Sequence, residues 1–387
     1  MIAQGGGPTA VFNASLNGIV VAMKEGLRAS GRIWGARGGI VGVLEEKWID
    51  LTNVSENTWL QISHSAASSL GSCRKKLTDE EAEFAVGVFR KHDVRYFLYT
   101  GGNDSMDTAL KIGDAAVALG YELRVAGVPK TIDNDLAETD HCPGYGSASR
   151  YYAQSVIDLG ADVRALPTPV SIIEVMGRNA GWLTAATMLA RKEADDAPHL
   201  IYVPEVPLSV SRFLEEVKEV HSCQGWVVVA VSEGLKADSG EPIGSREEGI
   251  TRDGFGHPLQ GEVAAALAGL VTGGLGIRAR CEKPGLCGRA SSLLASSVDR
   301  NEAWKVGHWA AQQALDGQSH FMAAIQCERG AYYRTSFRSV PLAKVANVER
   351  TLPLEYLTPD RNDIKEEFRD YAEPLIGGPL LHHSRFF

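Results

Sequence analysis

The sequence contains no Cys-x-x-Cys pair and no close grouping of cysteine with histidine. Its six cysteines (Cys73, Cys142, Cys223, Cys281, Cys287 and Cys327) are scattered along the chain. That spacing excludes the usual zinc frameworks and implies reduced, mostly buried thiols in a cytoplasmic protein. No apolar run approaches the ~20 residues that span a bilayer, so no membrane segment is expected. The N-terminus lacks a basic stretch followed by an apolar one, so no signal peptide is expected either. There is no surplus of positive charge. The formal net charge is -9, which argues against non-specific nucleic-acid binding. An anionic substrate would therefore need a local cluster of Lys and Arg. Finally, no Pro/Ser/Gly-rich linker divides the chain and no internal repeat is visible, so two lobes would have to be interleaved.

What is present is a balanced globular composition, 44% hydrophobic and 22% charged. At 387 residues the chain is too long for one ordinary core, and two lobes are the expectation. The 41 glycines fall in short groups that read as turns and ligand loops. Short β-branched runs alternate with helical patterns, as in a parallel sheet with crossover helices. Strands are predicted over 94–99, 123–128, 170–175, 200–203 and 226–231. Helices are predicted over 13–23, 104–119, 179–191, 211–220, 262–270 and 299–315. After about Arg329 the pattern weakens to short strands and loops, then to a charged segment over 360–371. Gly5-Gly6-Gly7 follows the first residues almost at once, so the first strand should be unusually short.

Four strand-to-helix corners carry candidate chemistry. Gly5-Gly6-Gly7-Pro8-Thr9 precedes a helix whose free N–H groups suit a phosphate, although an ordinary tight turn reads the same way. Tyr99-Thr100-Gly101-Gly102-Asn103-Asp104-Ser105 follows an apolar strand, and the carboxyl ends of parallel strands are where ligands bind. Asp104 or Ser105 as a plain helix cap explains one residue of that set, not the paired glycines as well. Pro129-Lys130-Thr131-Ile132-Asp133-Asn134-Asp135 puts two acids and an amide beside a lysine. An acid takes a hydroxyl proton or holds Mg²⁺, and a lysine offsets phosphate charge. Glu174-Val175-Met176-Gly177-Arg178-Asn179 places an arginine where it could bind phosphate or simply be solvated. Glu233 ends a strand and suits sugar hydroxyls. Arg278, Arg280, Lys283 and Arg289, with Arg74-Lys75-Lys76, are local basic groups in an acidic chain.

In order and spacing these motifs resemble the phosphofructokinase family over nearly the whole chain. The Pro204-Glu205 pair and Gly288-Arg289 contribute to the likeness. The pyrophosphate-dependent branch is the most similar. The resemblance implies a two-lobed α/β fold of parallel-sheet lobes with an interlobe active-site cleft. It implies reversible transfer from pyrophosphate to the 1-hydroxyl of fructose 6-phosphate with Mg²⁺, in glycolysis or gluconeogenesis. It implies Asp133 as catalytic base, supported by Asp135 and Lys130. Gly7, Arg74, Gly102, Asn103, Asp104 and Ser105 match the donor side. Thr131, Met176, Gly177, Arg178, Glu233 and Arg289 match the sugar-phosphate side. Arg280 matches an arginine reaching over from a neighbouring subunit, so a homodimer or homotetramer is implied. Asp104 and Asp135 match the metal positions.

The donor expectation rests on Asp104 and Lys130, where ATP-using relatives carry glycine. A carboxylate at 104 would stand where a nucleotide's α-phosphate lies, and Lys130 gives a compact donor a point charge. The two are expected to face one pocket and to interact. Asn103 replaces a frequent aspartate, Pro169 an arginine and Leu286 a His or Tyr. The alternatives are another acceptor such as sedoheptulose 7-phosphate, an ATP-dependent enzyme, and a non-catalytic sugar-phosphate sensor. The larger, donor-binding lobe is expected from residues 1–144 with 288–340. The smaller, sugar-phosphate lobe is expected from 145–287 with 341–387.

Overall fold

In the computed structural model, residues 1–27, 31–166, 169–244, 262–330 and 332–384 are described. The strands, in chain order, are β1 (Ile2–Gln4), β2 (Trp34–Ala36), β3 (Trp48–Asp50), β4 (Tyr96–Gly101), β5 (Arg124–Pro129), β6 (Val170–Val175), β7 (Leu200–Tyr202), β8 (Val227–Ser232), β9 (Ala279–Glu282), β10 (Phe321–Glu328) and β11 (Arg334–Pro341). The chain divides into two compact units, residues 1–145 with 290–350, and residues 146–244 with 262–289 and 351–384.

The first unit is built on a seven-stranded sheet in the order β11-β10-β5-β4-β1-β2-β3. β1, β4 and β5 run parallel, with Gln4 beside Thr100 and Gly101 beside Pro129. Their carboxyl ends therefore lie along one edge, and the glycine loop, the Gly101-Gly102 corner and the Lys130 segment all leave from it. One core packs Phe97, Phe89, Val125 and Met322 on one face, and another packs Ile2, Leu98, Val128 and Ile325 on the other. This is the alternation expected of strands covered on both sides. On the second face the helix Phe12–Gly26 meets the helix Ser297–Leu315. Gly18 and Gly307 let their backbones touch, because a Cβ at Gly18 would stand 2.0 Å from the Trp304 carbonyl oxygen. That contact returns the late segment to the first unit.

The second unit holds a four-stranded, all-parallel sheet in the order β7-β8-β6-β9. Its core joins Val170, Ile172, Phe213, Val229 and Leu267.

Most expected elements are present with ends moved by a few residues, and β1 is short. The helix expected over 179–191 is only Trp182–Ala186, followed by a 3₁₀ turn over Thr187–Ala190. The weak pattern after Arg329 conceals an eight-residue strand, β11, paired antiparallel with β10. Arg334, Ser336 and Arg338 are exposed on one face and Thr335 and Ser339 flank Phe337 on the other, so it has little apolar signal. The helices Asp79–Lys91 and Tyr145–Ala165 have no counterpart in the sequence reading. The first starts at a capping box made by Thr78 and Glu81. The cysteines are free, as expected, but they are not mostly buried. Only Cys142 is buried, while Cys223, Cys281 and Cys287 are exposed. They sit on outer faces and the edge strand β9, where no neighbour covers them. Among the described residues no helix is long and apolar enough to cross a membrane.

A buried ionic network braces the first unit. His141 joins Asp140 through Nδ1 at 2.8 Å and Glu302 through Nε2 at 2.7 Å. Arg329 donates to both Asp140 oxygens at 2.7 Å, and the Tyr333 hydroxyl donates to Glu302. Burial alone would lower the His141 pKa, but hydrogen bonds and charge from Asp140 and Glu302 outweigh it and raise it to about 9. A raised histidine pKa gives stability that is fully present below its ordinary 6.5 and lost as pH climbs through about 9. Thermal unfolding followed from pH 6 to 10 should therefore show the melting temperature falling across that window. His141→Gln, which cannot ionise, should flatten the slope. An unchanged slope in that variant would assign the pH dependence to other groups.

Candidate active site

Four backbone segments converge at the carboxyl edge of β1, β4 and β5. The Gly5 N–H donates to the Thr100 carbonyl at 2.8 Å and the Gly6 N–H to Cys73 at 3.0 Å. The Ser72 hydroxyl donates to the Gly6 carbonyl at 2.6 Å. The Lys130 N–H donates to Gly101 at 3.0 Å. The glycine loop, the 72–76 segment, the 101–105 corner and the 130–135 loop are thus held side by side. Ser105 is buried, and its Oγ fills the space beside the Gly5 and Gly101 α-carbons. It locks the two glycine loops together.

Lys130 is buried at 3% exposure. Its ammonium donates to the Gly7 carbonyl at 2.8 Å and lies over the Phe12 ring at 4.8 Å. Asp104 opens the helix Asn103–Ala118, and its ion pair is with Lys76, at 3.3 Å. This corrects the expected Asp104–Lys130 contact, because the lysine turns toward the glycine loop while Lys76 arrives from the 72–76 segment. Lys75 points elsewhere, to Glu81 at 2.7 Å, and Arg74 is exposed.

Asp133 and Asp135 lie on the loop after β5. The Asp133 N–H donates to the Thr131 hydroxyl at 3.1 Å. Asn103 donates its amide to Asp135 Oδ2 at 3.1 Å. Burial pushes the Asp135 carboxyl up, aided by Glu349 and opposed by Thr131 and Lys130. Asp135 Oδ1 and Asn103 Oδ1 are both buried and make no hydrogen bond. Unsatisfied buried oxygens are costly, and oxygen is the ligand type that Mg²⁺ takes. The donor chemistry thus fits a hard cation at Asp135 and Asn103, while Asp104 is already engaged by Lys76. Among the described residues no group of three or more His, Cys, Asp or Glu is suited to a metal. A cation here would need phosphate oxygens or water to complete its shell.

In the second unit the ends of β6 and β8 build a second corner. The Glu233 N–H donates to the Val175 carbonyl at 2.9 Å, and the Gly177 N–H donates to Glu233 Oε1 at 3.3 Å. The Ser232 hydroxyl donates to the Gly177 carbonyl at 2.6 Å. Gly234 passes so close that a Cβ would stand 1.6 Å from the Arg178 carbonyl oxygen. Only glycine fits there, and that contact sets the course of the Met176-Gly177-Arg178 turn. Burial pushes the Glu233 carboxyl up, with Glu174 adding to the effect.

Tyr152, which the sequence reading does not single out, and Lys283, which it places in a basic group, hold this corner. The buried Tyr152 hydroxyl accepts the Met176 N–H at 3.4 Å, and its ring lies against Gly288, beside the half-buried Arg289. Lys283 pairs at 2.7 Å with the buried Glu174, which also accepts the Ala264 N–H at the start of the helix Val263–Leu275. A position inside the helix Tyr145–Ala165, between the motif that ends at Asp135 and the one that starts at Glu174, gives no sign that Tyr152 packs at this corner. Arg280 is exposed on the edge strand β9.

Gly7, Arg74, Gly102, Asn103, Asp104 and Ser105, expected on the donor side, lie in the first unit with Lys130, Asp133 and Asp135, expected to be catalytic, and with Thr131, expected on the sugar-phosphate side. Met176, Gly177, Arg178, Glu233 and Arg289 are carried by the second. The sequence model of the family described as Phosphofructokinase matches residues 1–314. A pyrophosphate–fructose 6-phosphate 1-phosphotransferase of Xanthomonas campestris is 42% identical, covering 99% of this chain and 93% of its own. One of Halomonas elongata is 39% identical, covering 97% and 91%. The crystal structure of a pyrophosphate-dependent phosphofructokinase from Marinobacter aquaeolei superposes with a TM-score of 0.88 at 37% identity, covering 97% of this chain and 91% of that one. With its parallel-sheet units and its motifs at their strand ends, the chain belongs to the phosphofructokinase family.

Proposed function

We infer that the chain transfers a phosphoryl group from pyrophosphate to the 1-hydroxyl of fructose 6-phosphate, reversibly, giving fructose 1,6-bisphosphate. The observation that carries this reading is the donor edge of the first unit. There a carboxylate, Asp104, stands in the first turn of the helix after Gly101-Gly102, and an ammonium, Lys130, is buried beside the Gly7 carbonyl. A nucleotide would meet the carboxylate, whereas a compact polyphosphate finds the cation. The names of the relatives at 42% and 39% identity support the same donor and acceptor.

In the forward direction the sugar's 1-hydroxyl oxygen bonds to the terminal phosphorus of pyrophosphate. The bridging P–O bond breaks, orthophosphate leaves, and Asp133 takes the hydroxyl proton. Lys130 offsets charge on the donor. Mg²⁺, held by Asp135 and Asn103, would supply charge neutralisation between the phosphoryl groups. Arg178 and Arg289 hold the phosphate of the sugar, Glu233 accepts from its hydroxyls, and Met176, Gly177 and Thr131 shape the acceptor site. A cytoplasmic homo-oligomer in which Arg280 serves a neighbour's site completes the proposal.

Arg→Ala at 178, 280 or 289 should raise the KM for fructose 6-phosphate about tenfold or more, with a smaller effect on the KM for pyrophosphate. Mixed assemblies of Asp133→Asn and Arg280→Ala subunits should regain activity that neither has alone. No recovery in a demonstrated mixed assembly would leave each site built from one chain. The function itself is tested by kcat/KM for pyrophosphate and ATP, each with fructose 6-phosphate and sedoheptulose 7-phosphate. Preference for ATP, or for the seven-carbon acceptor, would overturn it.

A further inference from the structure

We propose that Arg350 is a positioning residue for catalysis, its side chain holding the loop that carries Asp133 and Asp135 in its working shape. The proposal rests on the reading of Asp133 as the base, and it concerns a residue outside the 1–314 segment that the family matches.

Between β5 and the helix Tyr145–Ala165 the chain forms only isolated bridges, Thr131 with Gly144 and Leu136 with Glu349. Its backbone is also held in unusual shapes. Asn134, between the two acids, has φ 57° and Glu138 has φ 63°. Asparagine enters that region more readily than most residues, whereas a glutamate there has to be held by its surroundings. Buried carbonyls in such a loop need donors from outside it. Arg350 supplies them. Its Nε and Nη2 donate to the Asn134 carbonyl at 3.2 and 2.8 Å, and its Nη1 donates to Thr139 and Asp140 at 2.7 and 2.6 Å. Its own N–H donates to the Asp135 carbonyl at 2.7 Å. One planar guanidinium thus ties the peptide between the two acids to the far end of the loop. Lysine, a point charge on a flexible stem, cannot span those carbonyls in the same way.

Other ties remain without it. Asn134 Oδ1 accepts the Cys142 N–H at 2.9 Å, and the Asp140 side chain stays on Arg329 and His141. Loss of the guanidinium should therefore loosen the loop rather than unfold the unit. Small displacements of a catalytic group cost rate more than binding.

The test compares wild type, Arg350→Ala and Arg350→Lys, with Asp133→Asn as control. Both Arg350 variants should lose about tenfold or more in kcat, with the KM values for pyrophosphate and fructose 6-phosphate within about threefold of wild type. Millimolar guanidinium should restore part of the kcat of Arg350→Ala and leave wild type unchanged. Amide hydrogen exchange over residues 134–140 should quicken in both variants. A kcat within about twofold of wild type in either folded variant would overturn the proposal. So would a loss that merely follows the unfolded fraction and is not rescued. Should wild type fail to use pyrophosphate with fructose 6-phosphate, the functional reading falls, and hydrogen exchange still decides the brace, with unchanged protection overturning it.

Discussion

Asp133→Asn is expected to lower kcat by about 10² or more while moving either KM far less. The substitution keeps the shape of the side chain and removes its basicity. The surroundings favour a clean experiment. The Asp133 backbone is held through its N–H on the Thr131 hydroxyl, and the Asn134–Asp135 peptide is held through the Asn134 carbonyl on Arg350. Neither tie uses the Asp133 carboxylate, so both should survive the substitution and keep the backbone in place. Phosphoryl transfer asks little covalent chemistry of a protein, and the proton from the attacking hydroxyl is one part that needs a side chain. A variant with near-normal kcat would remove Asp133 from that role. Asp135 would then be the next acid to replace.

The second large effect concerns the choice of donor. Lys130→Gly should cripple pyrophosphate turnover, by about 10² in kcat/KM or more, because a buried cation is lost where transition-state charge gathers. Asp104→Gly should remove the obstruction to a nucleotide and permit weak ATP use. It should also release Lys76, its partner at 3.3 Å, whose side chain is about half exposed and will find solvent at small cost. Since Asp104 is paired with Lys76, and Lys130 is anchored on the Gly7 carbonyl, the two substitutions do not disturb a shared ion pair. Any non-additivity in the double variant therefore reports the shared donor. The double change should move the kcat/KM ratio toward ATP by more than either single change. The measurement is kcat/KM for both donors in wild type, both singles and the double. If wild type prefers pyrophosphate and neither substitution moves the ratio, the preference lies in the glycine loop or in Arg74 to Lys76.

Much of the fold was legible because its signals are local. β6 is buried along its length, with Val170, Ile172, Ile173 and Val175 giving the apolar signal, and the structure begins and ends it where the sequence does. Helices such as Ser297–Leu315 carry their own caps, here Ser296 accepting the Asp299 N–H. The elements that escaped had weak or one-sided patterns. β11 exposes arginine and serine along its length, and its place is set by β10 rather than by its own composition. The helix Asp79–Lys91 buries one face through Ala82, Ala85, Val86, Val88 and Phe89, and its alanines add little to the apolar signal.

The candidate site divides in the same way. By itself the sequence determined the chemistry at each strand end: the glycines, the Asp-Asn-Asp run, Lys130 and the Met-Gly-Arg corner. Those are contiguous residues whose type and order carry the meaning. Only the tertiary structure decided which charges meet. Lys130 reaches a carbonyl 123 residues away, and Arg350 reaches one 216 residues away. Lys76 meets Asp104 because the 72–76 segment lies beside the helix that begins at Asn103. Such pairings follow from how parallel strands order themselves in a sheet. Strand order is settled by the packing of whole faces, so no short stretch of sequence carries it.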